Sequence, residues 1–212
     1  MRPNFFGEEA FAVVDKFASD LNLYIVNPQA EAVPHQFESG ALQTDWTAMN
    51  MRYAKNYFDE WGLNYLDLNQ SAYSADYNRK KADLQEKYGD GYFVPQIFYL
   101  KKHDSRKVET LCVWPEHLPY ILPKVDLILI QKRISVLFWN KMEEGLVRYT
   151  DLIDRLGNYF LKQEDYMVLT PQEAGKASKS FNRLNLFDTL SGYGESISVD
   201  KFVNGKPEGD LS

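Results

Sequence analysis

Lys124-Val125-Asp126-Leu127-Ile128-Leu129-Ile130 carries the strongest strand signal in the chain, and its reading decides the fold class. It is a short apolar run, rich in branched residues and bounded by polar or turn-forming neighbours. Two further runs lie upstream, Phe93 to Leu100 and Val108 to Val113, separated by Lys101-Lys102-His103-Asp104-Ser105-Arg106-Lys107. That spacing predicts a hairpin with a charged loop. Both faces of the first run are apolar, so it reads as an interior strand covered on both sides, with Pro95 at its start or at a bulge. Downstream, Ile134 to Trp139 is the expected partner of the Val125 to Ile130 run. The short polar segments His103 to Arg106 and Asn140 to Gly145 suggest an antiparallel meander.

Helical patterns flank this block on both sides. Glu8 to Leu21 places Ala10, Val13, Val14, Phe17, Ala18 and Leu21 on one face. Leu23 to Val26 is a short strand stopped by Asn27-Pro28, and the stretch from Gln29 to Gly40 reads as a loop. From Ala41 to Trp61 the residues Leu42, Trp46, Met49, Tyr53, Tyr57 and Trp61 recur every three or four, with Gly62 as the stop. Ser71 to Tyr88 carries a thinner stripe of Tyr73, Tyr77, Leu84 and Tyr88. After the strands, Thr150 can cap a helix with Leu152, Ile153, Leu156 and Phe160 inward. Thr170-Pro171-Gln172-Glu173 has a threonine cap, a proline at the first helical position and a glutamate able to reach back.

Helices first and strands later favour α+β over a regular α/β alternation. The expected architecture is a central, mainly antiparallel sheet at about residues 93–139, packed by N-terminal and C-terminal helices. Length predicts one globular domain over 1–190, with a helical half at 1–90, the sheet at 91–140 and helices at 146–187. Residues 191–212 are poor in apolar groups and read as a tail, mobile or ordered by a partner.

Composition narrows the class. At 212 residues and 44% hydrophobic the chain can bury a core without a covalent staple, and its single cysteine, Cys112, excludes an intramolecular disulfide or a multi-cysteine zinc site. A reducing, cytoplasmic setting is the expectation. Met1 to Glu9 does not read as a secretory leader, and no apolar run approaches the ~20 residues of a membrane-spanning helix. Residues 1–90 hold 8 Lys/Arg against 14 Asp/Glu. That balance argues against nonspecific nucleic-acid binding and suits a basic protein partner.

No glycine-rich phosphate loop, nucleophile elbow or helical metal-ligand spacing is present in the sequence. No cofactor or metal is implied, and His35, His103 and His117 fall in separate expected loops. Cys112 reads as a small buried hydrophobe. One polar constellation remains: Asp126 in an apolar strand, with Glu116 and His117 in the preceding connection, as the site of a hydrolase. The plain alternative for Asp126 is a structural acid paired to Lys124, Lys132 or Arg133. The leading expectation is noncatalytic: a protein-binding module, of the bacterial immunity or antitoxin kind, that masks a basic partner. Its candidate contact residues are Tyr53, Tyr57, Tyr73 and Tyr77, because tyrosine offers apolar area and a hydrogen bond at low entropic cost.

Overall fold

The apolar run becomes an interior strand in the computed structural model, which describes residues 3–27, 31–115, 118–136 and 139–204. It forms β7 (Leu127–Val136), in a five-stranded sheet with β4 (Phe98–Lys102), β5 (Val108–Pro115), β8 (Trp139–Arg148) and β11 (Gly194–Ile197). The strand order is β11-β4-β5-β7-β8. Successive side chains alternate across the sheet. Cys112, Trp114, Ile128, Ile130 and Val147 enter one apolar cluster, whereas Leu111, Leu127, Leu129 and Leu146 enter another. Both faces are covered, which is why the first half of β7, Leu127 to Ile130, reads as an unbroken apolar run.

The larger cluster is closed by α3 (Leu68–Tyr88), α4 (Tyr149–Leu156) and α5 (Pro171–Asn182) through Tyr77, Leu152, Leu156, Ala174, Ala177 and Phe181. A second, antiparallel sheet of β6 (Tyr120–Pro123), β10 (Tyr166–Leu169) and β9 (Leu161–Lys162) contributes Tyr120, Ile121, Leu122, Met167, Val168 and Leu169. The α+β class and the mainly antiparallel central sheet are as the sequence predicts. The Thr170 cap is also formed: its side chain accepts from the Glu173 amide, with Pro171 opening α5. Glu173 itself turns to Lys176. Thr150 caps nothing, since α4 starts at Tyr149 without a side-chain cap.

Three local expectations are corrected. First, β5 and β7 pair in parallel, Leu111 opposite Leu127 through Pro115 opposite Gln131, so the strands are not a simple meander. The chain between them leaves for the second sheet as β6, the kind of crossover a parallel pair requires. Second, β4 starts at Phe98 rather than Phe93. Pro95 has no amide hydrogen for a ladder, and the Asn78 side chain takes the place of a strand neighbour, accepting from Ile97 N at 2.8 Å and donating to Ile97 O at 2.9 Å. Third, Ile134 to Val136 continue β7 rather than pairing with it, and Asn140 to Gly145 is strand, because β7 and β8 form one long hairpin from Leu127 opposite Arg148 to Val136 opposite Trp139. Polar residues interrupt the apolar pattern there, but they face one another as cross-strand pairs, Lys132 with Glu143 and Gln131 with Glu144.

Lys132 is a buried cation with a structural task. Its Nζ donates to Leu184 O at 2.7 Å and Asn182 O at 3.4 Å, and it lies 3.2 Å from a Glu143 carboxylate oxygen. A lysine at the end of α5 satisfies carbonyls that the helix leaves open and complements its dipole.

Contacts group the chain into two compact units, residues 72–198 and residues 1–71 with 199–212. The elements above make up the first of these, apart from the opening of α3. The other contains α1 (Phe5–Asp20), an antiparallel ribbon of β1 (Tyr24–Asn27) and β2 (Glu31–Gln36), α2 (Ala41–Tyr57), and β3 (Asn64–Leu66) paired in parallel with β12 (Phe202–Asn204). The stretch expected as a loop from Gln29 to Gly40 thus includes β2, with Tyr24 opposite Gln36 and Ile25 opposite His35. α1 and α2 meet closely at Gly7, where an added Cβ would lie 2.3 Å from the Trp46 ring. α2 ends at Tyr57, and Gly62 closes the following turn at a φ of +56°.

Of the residues expected as a tail, Gly194–Ile197 and Phe202–Asn204 are strands, and 205–212 lie outside the described residues. Thr189 caps the short helix α6 (Leu190–Tyr193), after which β11 adds to the edge of the main sheet beside β4. Gly194 is needed there, since a Cβ would meet Lys101 O at 2.3 Å. Tyr193 donates to Glu109 at 2.6 Å, and Phe202 and Val203 are buried. The sequence suggests otherwise because these few apolar groups are spaced too widely to show a period. Burying one aromatic side chain contributes about 1.5–3 kcal/mol, and each kcal/mol moves the melting point by about 2–4 °C at this size, so truncation after Leu190 should lower it by on the order of 10 °C. Thermal unfolding followed by circular dichroism checks this. An unchanged midpoint would show that β11 and β12 hold nothing together.

Candidate functional site

The four candidate tyrosines are divided between the two units. Tyr53 and Tyr57 lie on α2, and Trp61 follows just beyond its end. Their spacing of four places them on one side. The rings of Tyr53 and Tyr57 stack at 5.8 Å and those of Tyr57 and Trp61 at 4.7 Å, with interplanar angles of 20° and 13°. Tyr53 is 39% exposed and Trp61 53%. This aromatic ladder opens to solvent, although the same spacing suggests a core stripe.

Tyr73 and Tyr77 behave differently, and their assignment to a docking face is corrected. Both belong to the face of α3 that packs into the larger apolar cluster. Tyr73 donates from its hydroxyl to Asp165 O at 2.7 Å and accepts from Lys124 N at 2.9 Å. Tyr77 is only 3% exposed, and its hydroxyl has no hydrogen-bond partner. Burial pushes both phenols well above their ordinary range. Tyr77 therefore offers no exposed surface, and the Tyr73 hydroxyl is engaged within its own unit.

Asp126 is engaged by its neighbour strand. Its carboxylate accepts from Thr110 N at 2.7 Å and from the Thr110 hydroxyl at 3.0 Å, while its own amide donates to Thr110 O at 3.1 Å. Its carbonyl accepts from Tyr149 N at 2.9 Å. The cluster of bonds lies immediately before the parallel pairing of Leu111 with Leu127 and pins its register. Among the expected basic partners, Lys132 is held instead at α5, and Lys124 reaches Glu164 O and Asp165. Glu116 and His117 lie outside the described residues. Cys112 is fully buried, its thiol pushed up to about 12 by burial, with the Tyr120 hydroxyl 3.4 Å from its sulfur. A thiol of that kind is not a nucleophile near neutral pH.

The sequence gives no hint of a cleft of about 350 Å³ lined by Val147, Asp151, Asp154, Arg155, Leu184 and Asn185. Asp151 and Asp154 project from one side of α4 by their spacing of three. Arg155 is turned to Arg183 O at 2.7 Å. Among the described residues no group of three or more His, Cys, Asp or Glu side chains is placed to hold a metal ion. None of their helices is long and apolar enough to cross a membrane.

Charge and apolar exposure are distributed unequally. Residues 1–71 with 199–212 carry 6 Lys/Arg against 13 Asp/Glu, whereas residues 72–198 carry 18 against 17. Among the described residues, 7 of the buried hydrophobics belong to the first set and 30 to the second. The acidic unit also exposes more large apolar side chains, 10 against 6. On α1 and at its C-cap these include Val13, Phe17 and Leu21, spaced by four, where the sequence suggests an inward face.

Replacing Asp126 by alanine should destabilise the chain by about 1–3 kcal/mol, because the Thr110 amide and hydroxyl lose their acceptor, and Asp126→Asn should cost less. Tyr77→Phe should be neutral or stabilising, since it removes a hydroxyl that has no partner in its buried site. Urea titration of the three variants measures both. A loss above about 1 kcal/mol for Tyr77→Phe would reveal a hydrogen bond worth more than the desolvation it relieves.

No protein-family model, curated protein or solved structure matches the chain.

Proposed function

We propose that the chain is a noncatalytic protein-binding module for a basic partner, and that its acidic unit does the binding. The observation that carries this reading is the stacked ladder of Tyr53, Tyr57 and Trp61, exposed on a unit whose formal net charge is −7. Asp59 and Glu60 lie in the turn between Tyr57 and Trp61, and both are exposed. Aromatic rings supply area that is released from water on contact, and surrounding acids steer a cation-rich surface toward it. Such an arrangement suits a protein that masks a basic partner, as an immunity protein or antitoxin does. A buried, unpaired cysteine suits a reducing compartment such as the cytoplasm. The hydrolase alternative gains no support from Asp126, whose carboxylate is taken up by Thr110.

Capture from the native cell at low ionic strength, followed by binding kinetics with the captured protein, tests the reading. The expected partner is basic, and its affinity should fall as salt shortens the Debye length toward roughly 8 Å. Trp61→Ala or Tyr57→Ala should cost on the order of 2 kcal/mol of affinity, mainly by faster dissociation, while Glu60→Gln should mainly slow association. Binding that is indifferent to both salt and Trp61 would contradict the proposal.

A further inference from the structure

Tyr166 opens β10 and meets the last turn of α3. Lys87 donates from Nζ to the Tyr166 phenol oxygen at 3.0 Å, and the Tyr88 hydroxyl lies 3.2 Å from the same oxygen. The Tyr88 and Tyr166 rings meet edge to face at 6.1 Å, and the Tyr92 ring lies 5.4 Å from that of Tyr88. The Lys87 ammonium stands 5.1 Å from the Tyr88 ring centre and 5.8 Å from that of Tyr166. One charged donor and one hydroxyl able to donate therefore converge on one phenol oxygen. With Tyr88 donating, the Tyr166 proton is free to point to solvent, and loss of that proton leaves an oxyanion already held by two hydrogen bonds.

We propose that Tyr166 is an O-nucleophile and a modification site for small activated acyl donors, with Lys87 and Tyr88 as its positioning residues. Its oxygen attacks the acyl carbonyl carbon, a carbon–oxygen ester bond forms, and the bond to the leaving group breaks. The leaving group departs with the electron pair, and the phenolic proton passes to it or to solvent. No oxidant or metal is needed for that balance.

The surroundings agree with this assignment. Burial alone raises the Tyr166 phenol, and Asp165 opposes its ionisation, but the hydrogen bonds from Tyr88 and Lys87 and the Lys87 charge outweigh both and leave it below the ordinary phenol value. Tyr73, Tyr77, Tyr99, Tyr120, Tyr149 and Tyr193 are shifted the other way, chiefly by burial. Lys87 is raised by its bond to Tyr166, so it stays an ammonium and does not compete for the acyl group.

N-acetylimidazole on the full chain, with peptide mapping at short times near pH 8, supplies the test. Tyr166 should be acetylated ahead of Tyr24 and Tyr53, although Tyr24 is 66% exposed and Tyr166 is half-buried. The lead should vanish in Lys87→Gln, shrink in Tyr88→Phe and return in Lys87→Arg, which restores a charged donor. It should also close well above pH 10, where an ordinary phenol is ionised as well. Equal labelling of Tyr24 and Tyr166 near pH 8, or an unchanged lead in Lys87→Gln, overturns the proposal.

Discussion

The larger unit is organised around the indole of Trp114. This side chain is wholly buried in β5, stacks on Tyr120 of β6 at 4.7 Å, and meets Phe181 of α5 at 4.8 Å and Phe160 at 5.9 Å edge to face. Its Nε1 donates to Leu118 O at 3.3 Å. One residue thus links the main sheet, the excursion that leaves it and the helix that covers it. The parallel pairing of β5 with β7 follows from the same arrangement, because the chain must travel out through Tyr120 and return before β7 can lie beside β5. The Thr110–Asp126 bonds fix where that return locks, and Lys132 holds the middle of β7 to the end of α5.

Much of this was legible in local sequence. The apolar run at Leu127 to Ile130, the turn between the two upstream strands and the Thr170-Pro171 start each depend on a few neighbouring residues and are found, although the strand begins at Leu127 rather than Lys124 and Lys101-Lys102 belong to β4 rather than to the loop. What was not legible depends on partners distant in the chain. Nothing near Pro115 announces that the next strand joins another sheet, and only cross-strand pairing explains why Lys132, Glu143 and Glu144 sit in strands. The Asn78 side chain stands 19 residues from the Ile97 backbone it pairs with. The same limit governs the candidate site. A tyrosine stripe at helical spacing fits a core or a surface equally well, so Tyr53 and Tyr57 on α2 could be singled out while Tyr77, buried on α3, could not be set apart. Trp61 and the Lys87–Tyr88–Tyr166 cluster needed three-dimensional neighbours to be seen.

The two units differ in how they use their apolar residues. Residues 72–198 bury them, and their charges nearly balance. Residues 1–71 leave Val13, Phe17, Leu21 and the aromatic ladder in water and concentrate the negative charge. Exposed apolar area costs stability and solubility unless something covers it, and an acidic surround offsets the second cost. A surface kept in that form is what the proposed association needs, and a basic partner would match its charge.

Hydrogen exchange of the free chain, read peptide by peptide, tests this division of labour most directly. Amides of Leu111 to Trp114 and Leu127 to Ile130 should be the slowest, exchanging only with global unfolding, while α1 and the β1–β2 ribbon should exchange through local opening at much lower free energy. Protection of α1 and the ribbon equal to that of β5 and β7 would contradict the account, since the acidic unit would then be a fully packed body rather than a lightly held surface for a partner.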